Sequence, residues 1–216
     1  KRRYSEVASV TIASMDERHD KFVQNSQGAR AFNEIVRGQC YVSLTVKDKD
    51  DKPVELMEAF SGKGSFADMD LSLASVEQRL DALYEHLMAK REAVHAKGGV
   101  QTIVLAADLA GMLAHEAMGH PCEADLVLGG SVTGDLRGER IASDLITMVD
   151  FAHSYNGQEL LVPVYADDEG TPAEDVTLIN QGILQDFMHN RETAAQFNNR
   201  ATGNARAYAP DDEPLI

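Results

Sequence analysis

The sequence predicts an α+β fold: antiparallel strands together with a helix that carries a candidate metal site. Three observations predict it. Cys40-Tyr41-Val42-Ser43-Leu44-Thr45-Val46 is β-rich and alternates with period two. Val76, Leu80, Leu83, Leu87 and Met88 fall on one stripe of a helix over 75–95, with Glu77, Arg79, Glu85 and Lys90 elsewhere. The run Ala114-His115-Glu116-Ala117-Met118-Gly119-His120-Pro121 brings two imidazoles and a carboxylate to one helix end.

Along the chain, residues 6–13 alternate weakly and predict a strand, and Ser26-Gln27-Gly28 a turn. A charged turn over 47–53 leads to a partner strand at 54–60. Ser61-Gly62-Lys63-Gly64-Ser65 lacks the spacing of a phosphate-binding loop and reads as a mobile loop. Gly98-Gly99 breaks the long helix, and 100–105 reads as a strand. Asp108 is placed to cap a short helix running to His120, with Leu109, Met112 and Leu113 on its apolar side. Residues 129–140 are Gly-rich and aperiodic, which reads as a flap over a cleft. Strands are predicted at 145–151, 160–165, 176–180 and 183–188, with a hairpin turn at Asn180-Gln181-Gly182 and a short helix over 191–197.

The chain has 216 residues, enough for a proper core in one or two domains. Its net charge of −15 repels phosphate backbones and excludes nucleic acid as a favoured partner; Lys1-Arg2-Arg3 is too short a basic cluster to reverse that. Cys40 and Cys122 form no disulfide framework and fit free thiols in a reducing compartment. No apolar run approaches the ~18 residues of a membrane span, and no leader is visible. A cytoplasmic protein is the expectation. The chain starts at Lys1 without an initiator Met and ends in an acidic, Pro-containing tail, so either end is compatible with a cut from a longer protein.

The histidine pair poses the central question. In the common metalloprotease helix the two His are four apart, ~40° from each other around the axis, and the Glu activates water. Here they are five apart, which sets them ~140° apart on a regular helix. They can share a metal if a π-turn, with about 4.4 residues per turn, realigns them. They can also share one if the helix stops at Gly119-His120-Pro121. Otherwise one is a core histidine and the other a cap. Glu123 and Asp125 lie within reach of His120 and could hold a metal-bound imidazole by its other nitrogen, or be solvated turn residues. Cys122 is a soft ligand by type but stands two residues from His120 across a proline.

Residues 98–208 resemble the TldD/PmbA family of metallopeptidases, whose older label is modulator of DNA gyrase. The resemblance rests on the order and spacing of several short pieces. They are His115-Glu116-Ala117-Met118-Gly119-His120, Glu123-Ala124-Asp125, Gly138-Glu139-Arg140-Ile141-Ala142-Ser143, and Asp167-Asp168-Glu169-Gly170-Thr171-Pro172. Leu178-Ile179-Asn180-Gln181-Gly182-Ile183-Leu184, His189-Asn190-Arg191-Glu192-Thr193-Ala194 and Thr202-Gly203-Asn204-Ala205-Arg206 complete it. It implies that 1–97 is the end of an α+β N-terminal domain. It implies that 98–216 is the metal-motif helix and the start of a β-rich C-terminal peptidase domain. With the histidine motif present the chain resembles the TldD-like, catalytic branch, and the resemblance implies His115 and His120 as zinc ligands and Glu116 as general base. The implied partners are an unfolded or modified peptide substrate and a PmbA-like subunit, or a second copy in a homodimer.

One departure matters. The family's third ligand is a Cys far downstream, and no Cys follows Cys122 here. Two His hold zinc weakly, because catalytic zinc normally takes three protein ligands, so this chain by itself is expected to be metal-free or weakly loaded. Two other classes compete with a peptidase: a non-catalytic subunit that captures peptides or a partner, and a regulator associated with nucleic acid, which the charge opposes.

Overall fold

The computed structural model describes residues 3–69, 71–209 and 211–216; Lys1 and Arg2 of the basic cluster lie outside the described residues. The chain divides into two compact units, Lys1–His19 with Ile35–Gln101, and Asp20–Glu34 with Thr102–Ile216. The α+β class and its antiparallel pairing are as expected.

A three-stranded sheet of order β1-β2-β3 is formed by β1 (Ser9–Gln24), β2 (Arg30–Lys47) and β3 (Pro53–Lys63); the first unit takes β3 and the parts of β1 and β2 outside residues 20–34. Period two in β2 sends Cys40, Val42, Leu44 and Val46 to one face. Helix α1 (Leu73–Arg91) lays Leu83 and Leu87 on them, with Val76, Leu80 and Met88 at the margin, so the predicted stripe is the core. Burying side chains such as Leu87 and Val46, both 0% exposed, stabilises by roughly 1.5–3 kcal/mol each.

Several local expectations give way. Ser61-Gly62-Lys63 is strand, not loop, because it pairs with Arg37-Gly38-Gln39. Helix α1 ends at Arg91 rather than at the glycine pair. Between Met88 and Gly98 the one large apolar side chain is Val94, and it stands 90% exposed. Residues 100–105 form no strand: Val100 and Val104 are fully solvated and no neighbouring strand offers a ladder.

In the second unit, α2 (Ala107–Ala114) starts after Ala106, which offers no capping side chain; Asp108, expected as the cap, lies inside the first turn, where its carboxylate accepts from the Leu109 N–H. Leu109, Met112 and Leu113 are exposed, and α2 buries none of its residues. A three-stranded sheet of order β4-β7-β8 comes next, from β4 (Met148–Asp150), β7 (Val176–Asn180) and β8 (Ile183–Leu184). Both predicted strands that became β4 and β8 are shorter than expected. The predicted strand over 160–165 is irregular because Pro163 has no N–H for a ladder. In its place Ser154–Tyr155 (β5) pairs with Gln158–Glu159 (β6) around Asn156-Gly157, both at positive φ. Leu178, Ile179, Leu184 and Phe187 form the core with Cys122, Ala124 and Val127. Helix α3 (Ala124–Leu128) joins that core directly after the histidine motif, and α4 (Arg191–Gln196) starts at an Asn190 cap.

Candidate metal centre

The helix that begins as α2 does not continue regularly through the motif. His115–Gly119 is a single π-turn, with the His120 N–H bonded to the His115 carbonyl, and His120–Cys122 tightens into a 3₁₀ turn. Pro121 removes the next backbone donor, so the helix ends there. Both ways of reconciling five-residue spacing are therefore used in succession. The two imidazoles lie 4.4 Å apart between ring centroids at 63°. One ligand atom each from His115, Glu116 and His120 lies within 4.8 Å of the others.

Residues 122–124, directly after the second histidine, fix the motif to the core. Cys122 and Ala124 are fully buried. The Cys122 carbonyl accepts from the Met188 N–H at 2.9 Å, and the Ala124 N–H donates to the Met188 carbonyl at 3.0 Å. On the other side the Ser131 hydroxyl donates to the Pro121 carbonyl at 2.9 Å, and the Thr133 hydroxyl donates to the same oxygen. Residues 129–140 thus clasp the motif. They are not a free flap: Thr133 is 1% exposed and the Gly138 N–H donates to the Leu184 carbonyl at 2.8 Å. Replacing Thr133 by the isosteric Val removes one of the two hydroxyl donors to the Pro121 carbonyl. A loss of about 0.5–1.5 kcal/mol is expected in chemical unfolding. A loss below about 0.3 kcal/mol would mean the clasp contributes nothing.

The three carboxylates near the motif differ. Glu116 is exposed, with an oxygen 3.8 Å from His120 Nε2. Glu123 Oε1 lies at hydrogen-bond distance, 2.8 Å, from His120 Nδ1, and its side chain is 15% exposed. Burial pushes its carboxyl above the ordinary range, and the hydrogen bond from His120 opposes that rise. Asp125 faces away and accepts from the Leu126 and Ile216 N–H groups. The Cys122 thiol is pushed up to about 11 by burial and lies in the core cluster, apart from the His–Glu–His group.

His115, Gly119 and Glu123 also line a cleft of about 580 Å³. Edge strand β4 forms one wall and Val162 and Val164 contribute apolar surface. Asp150, Asn204 and Arg206 supply its polar part, none of them singled out as site residues by sequence reasoning. Asn204 donates to Asp150 at 2.7 Å, and the Arg206 guanidinium donates to the Gly203 and Ala205 carbonyls. Burial pushes the Asp150 carboxyl up and the Arg206 guanidinium down. Asn204 and Arg206 stand in a polar, glycine-containing loop whose composition was the available signal; Asp150 sits in an ordinary-looking strand and left none.

Two imidazoles beside an exposed carboxylate form a donor set that could hold a divalent metal. Comparison with known proteins agrees at the level of family. A family model described as the PmbA/TldA metallopeptidase C-terminal domain matches residues 98–216. A zinc metalloprotease TldD homolog of Saccharolobus solfataricus is 33% identical over 80% of this chain and 38% of its own length. A metalloprotease of Methanocaldococcus jannaschii is 30% identical over 93% of this chain and 43% of its own. The crystal structure of TldE from Thermococcus kodakarensis shares the fold, with a TM-score of 0.66 at 20% identity, covering 91% of this chain and 42% of that one. The chain belongs to the PmbA/TldD family of metallopeptidases. It spans about two fifths of the length of the curated relatives it matches.

Proposed function

We propose that this chain is the motif-bearing part of a zinc-dependent peptidase that hydrolyses unfolded or modified peptides. In this reading His115 and His120 hold the metal and Glu116 is the general base. The observation that carries it is the π-turn at His115–Gly119, which draws the donor atoms of His115, Glu116 and His120 within 4.8 Å. The relatives' printed names, zinc metalloprotease and metalloprotease, support the metal and the reaction class.

Zinc, when bound, would supply Lewis acidity and lower the pKa of a bound water towards ~7. Glu116 accepts the water proton and passes it to the leaving amine. The buried segment after His120 holds the second imidazole against drift. Edge strand β4 borders the cleft, so an extended substrate would pair with its free backbone groups, which favours unfolded chains over folded ones. By resemblance to the family the third ligand would be a Cys, a role that neither buried cysteine here is proposed to fill. The family suggests a PmbA-like partner subunit, and a homodimer is the other arrangement. The family match from residue 98 supports a division into 1–97 and 98–216. Among the described residues no helix is long and apolar enough to cross a membrane, and cytoplasmic action is part of the proposal.

Metal analysis of the intact protein with its partner tests the reading. The wild type should carry zinc and cleave an unfolded peptide, a chelator should abolish cleavage, and added zinc should restore it. His120→Ala should lose the metal. Chelator-resistant cleavage, or wild-type zinc content in the variant, would overturn the proposal.

A further inference from the structure

We infer that Glu123 is the positioning residue of this centre: it fixes the proton of His120 on Nδ1 and so presents Nε2 as the ligand atom. The inference deepens the zinc reading and rests on it for its metal-binding consequence, but the proton assignment concerns this chain alone. A neutral imidazole has one N–H and one lone pair, and the partner of one nitrogen decides the role of the other. His120 Nδ1 stands 2.8 Å from Glu123 Oε1. An ionised carboxylate only accepts, so the proton belongs on Nδ1. His120 Nε2 is left on the side of Glu116, at 3.8 Å, too far for a hydrogen bond of its own.

Glu123 can do this because it is itself held. Its neighbours Cys122 and Ala124 are fully buried, and the backbone of 122–124 bridges to Met188. Its side chain is far less exposed than that of Glu116, at 15% against 65%. The two glutamates are thus separated by environment. One is free to move a proton at the solvent face, and the other is a fixed acceptor at the back of the imidazole. Asp125, one residue beyond α3's first position, is turned towards the Ile216 N–H and takes no part. Carboxylate–histidine–metal arrays of this kind tune affinity because they hold the ring orientation as well as the tautomer.

The test uses the intact protein and two readouts. In the metal-free wild type, long-range ¹H–¹⁵N correlation spectra at pH 8 should show His120 protonated on Nδ1. Glu123→Ala should move the proton to Nε2, and the shape-conserving Glu123→Gln should leave a mixture. Chelator competition should then give a zinc affinity about 10- to 100-fold weaker in Glu123→Ala, with a smaller loss in Glu123→Gln and none in Asp125→Ala. A wild-type His120 protonated on Nε2, or a tautomer indifferent to both Glu123 variants, would overturn the inference whether or not the protein binds zinc. Zinc affinity within twofold of wild type in both variants would also overturn it. A wild type that binds no zinc but shows the Nδ1 proton would refute the peptidase reading and leave the positioning role standing.

Discussion

Glu116→Gln in the intact protein is expected to lower peptide hydrolysis roughly 100- to 10,000-fold, with zinc content and thermal stability unchanged. The size comes from the role: general acid–base catalysis contributes about that much, and glutamine keeps the shape while losing the basic oxygen. The selectivity comes from the geometry. Glu116 lies in the π-turn with its side chain 65% exposed, outside either core cluster, so no packing is disturbed. Unchanged proteolysis would remove the enzyme reading as stated and leave a subunit that captures peptides or a partner. The same variant separates Glu116 from Glu123, whose replacement should show in metal affinity and tautomer rather than selectively in turnover.

Much of this was legible in the sequence where a single period decided the answer. The α1 stripe and the alternation of β2 each bury one face, and the structure packs these two faces together. The motif was legible for a different reason. Five-residue spacing is incompatible with a straight helix sharing one face, so the two imidazoles could converge only if the chain bulged or stopped near Pro121; spacing does not dictate that a π-turn and a 3₁₀ turn succeed one another. The glycine is less decisive than it looked. Gly119 has ordinary helical dihedrals, and a Cβ there would meet nothing nearer than 3.7 Å, so the missing donor of Pro121 is the better cause of the helix end. What misled was strand-like composition: residues 100–105 meet no neighbour that pairs with them, whereas 160–165 bond to residues 152, 153 and 173 but Pro163 keeps them from a regular ladder. Asn156-Gly157 was a readable hairpin signal that the longer apolar run beside it obscured. Glu123 was within view as a support for His120, whereas Thr133 was not, because its contact with Pro121 depends on how 129–140 fold back.

Gly203→Ala is expected to destabilise the second unit by about 2–5 kcal/mol, the largest effect of any single methyl on the cleft. Two costs add. Gly203 has φ +77°, where an L side chain costs roughly 1–2 kcal/mol. A Cβ would also fall 2.4 Å from Ala173 Cα and 2.6 Å from the Pro172 carbonyl, both backbone atoms that cannot swing aside, and overpacking of this kind costs about 1–3 kcal/mol. The loop has little freedom to yield. The Thr202 N–H donates to the His189 carbonyl at 3.0 Å, Ala205 is fully buried, and its N–H donates to Asp167 at 3.2 Å. Any shift would pass to Asn204 and Arg206, loosening the polar part of the cleft beside His115. Gly119→Ala is the matched control: it also lies beside the cleft, but its ordinary dihedrals and 3.7 Å contacts predict a change within about 1 kcal/mol, in either direction. Chemical unfolding of both variants decides the matter. Equal stabilities would mean that the close approach of residues 172–173 to this loop does not constrain the fold.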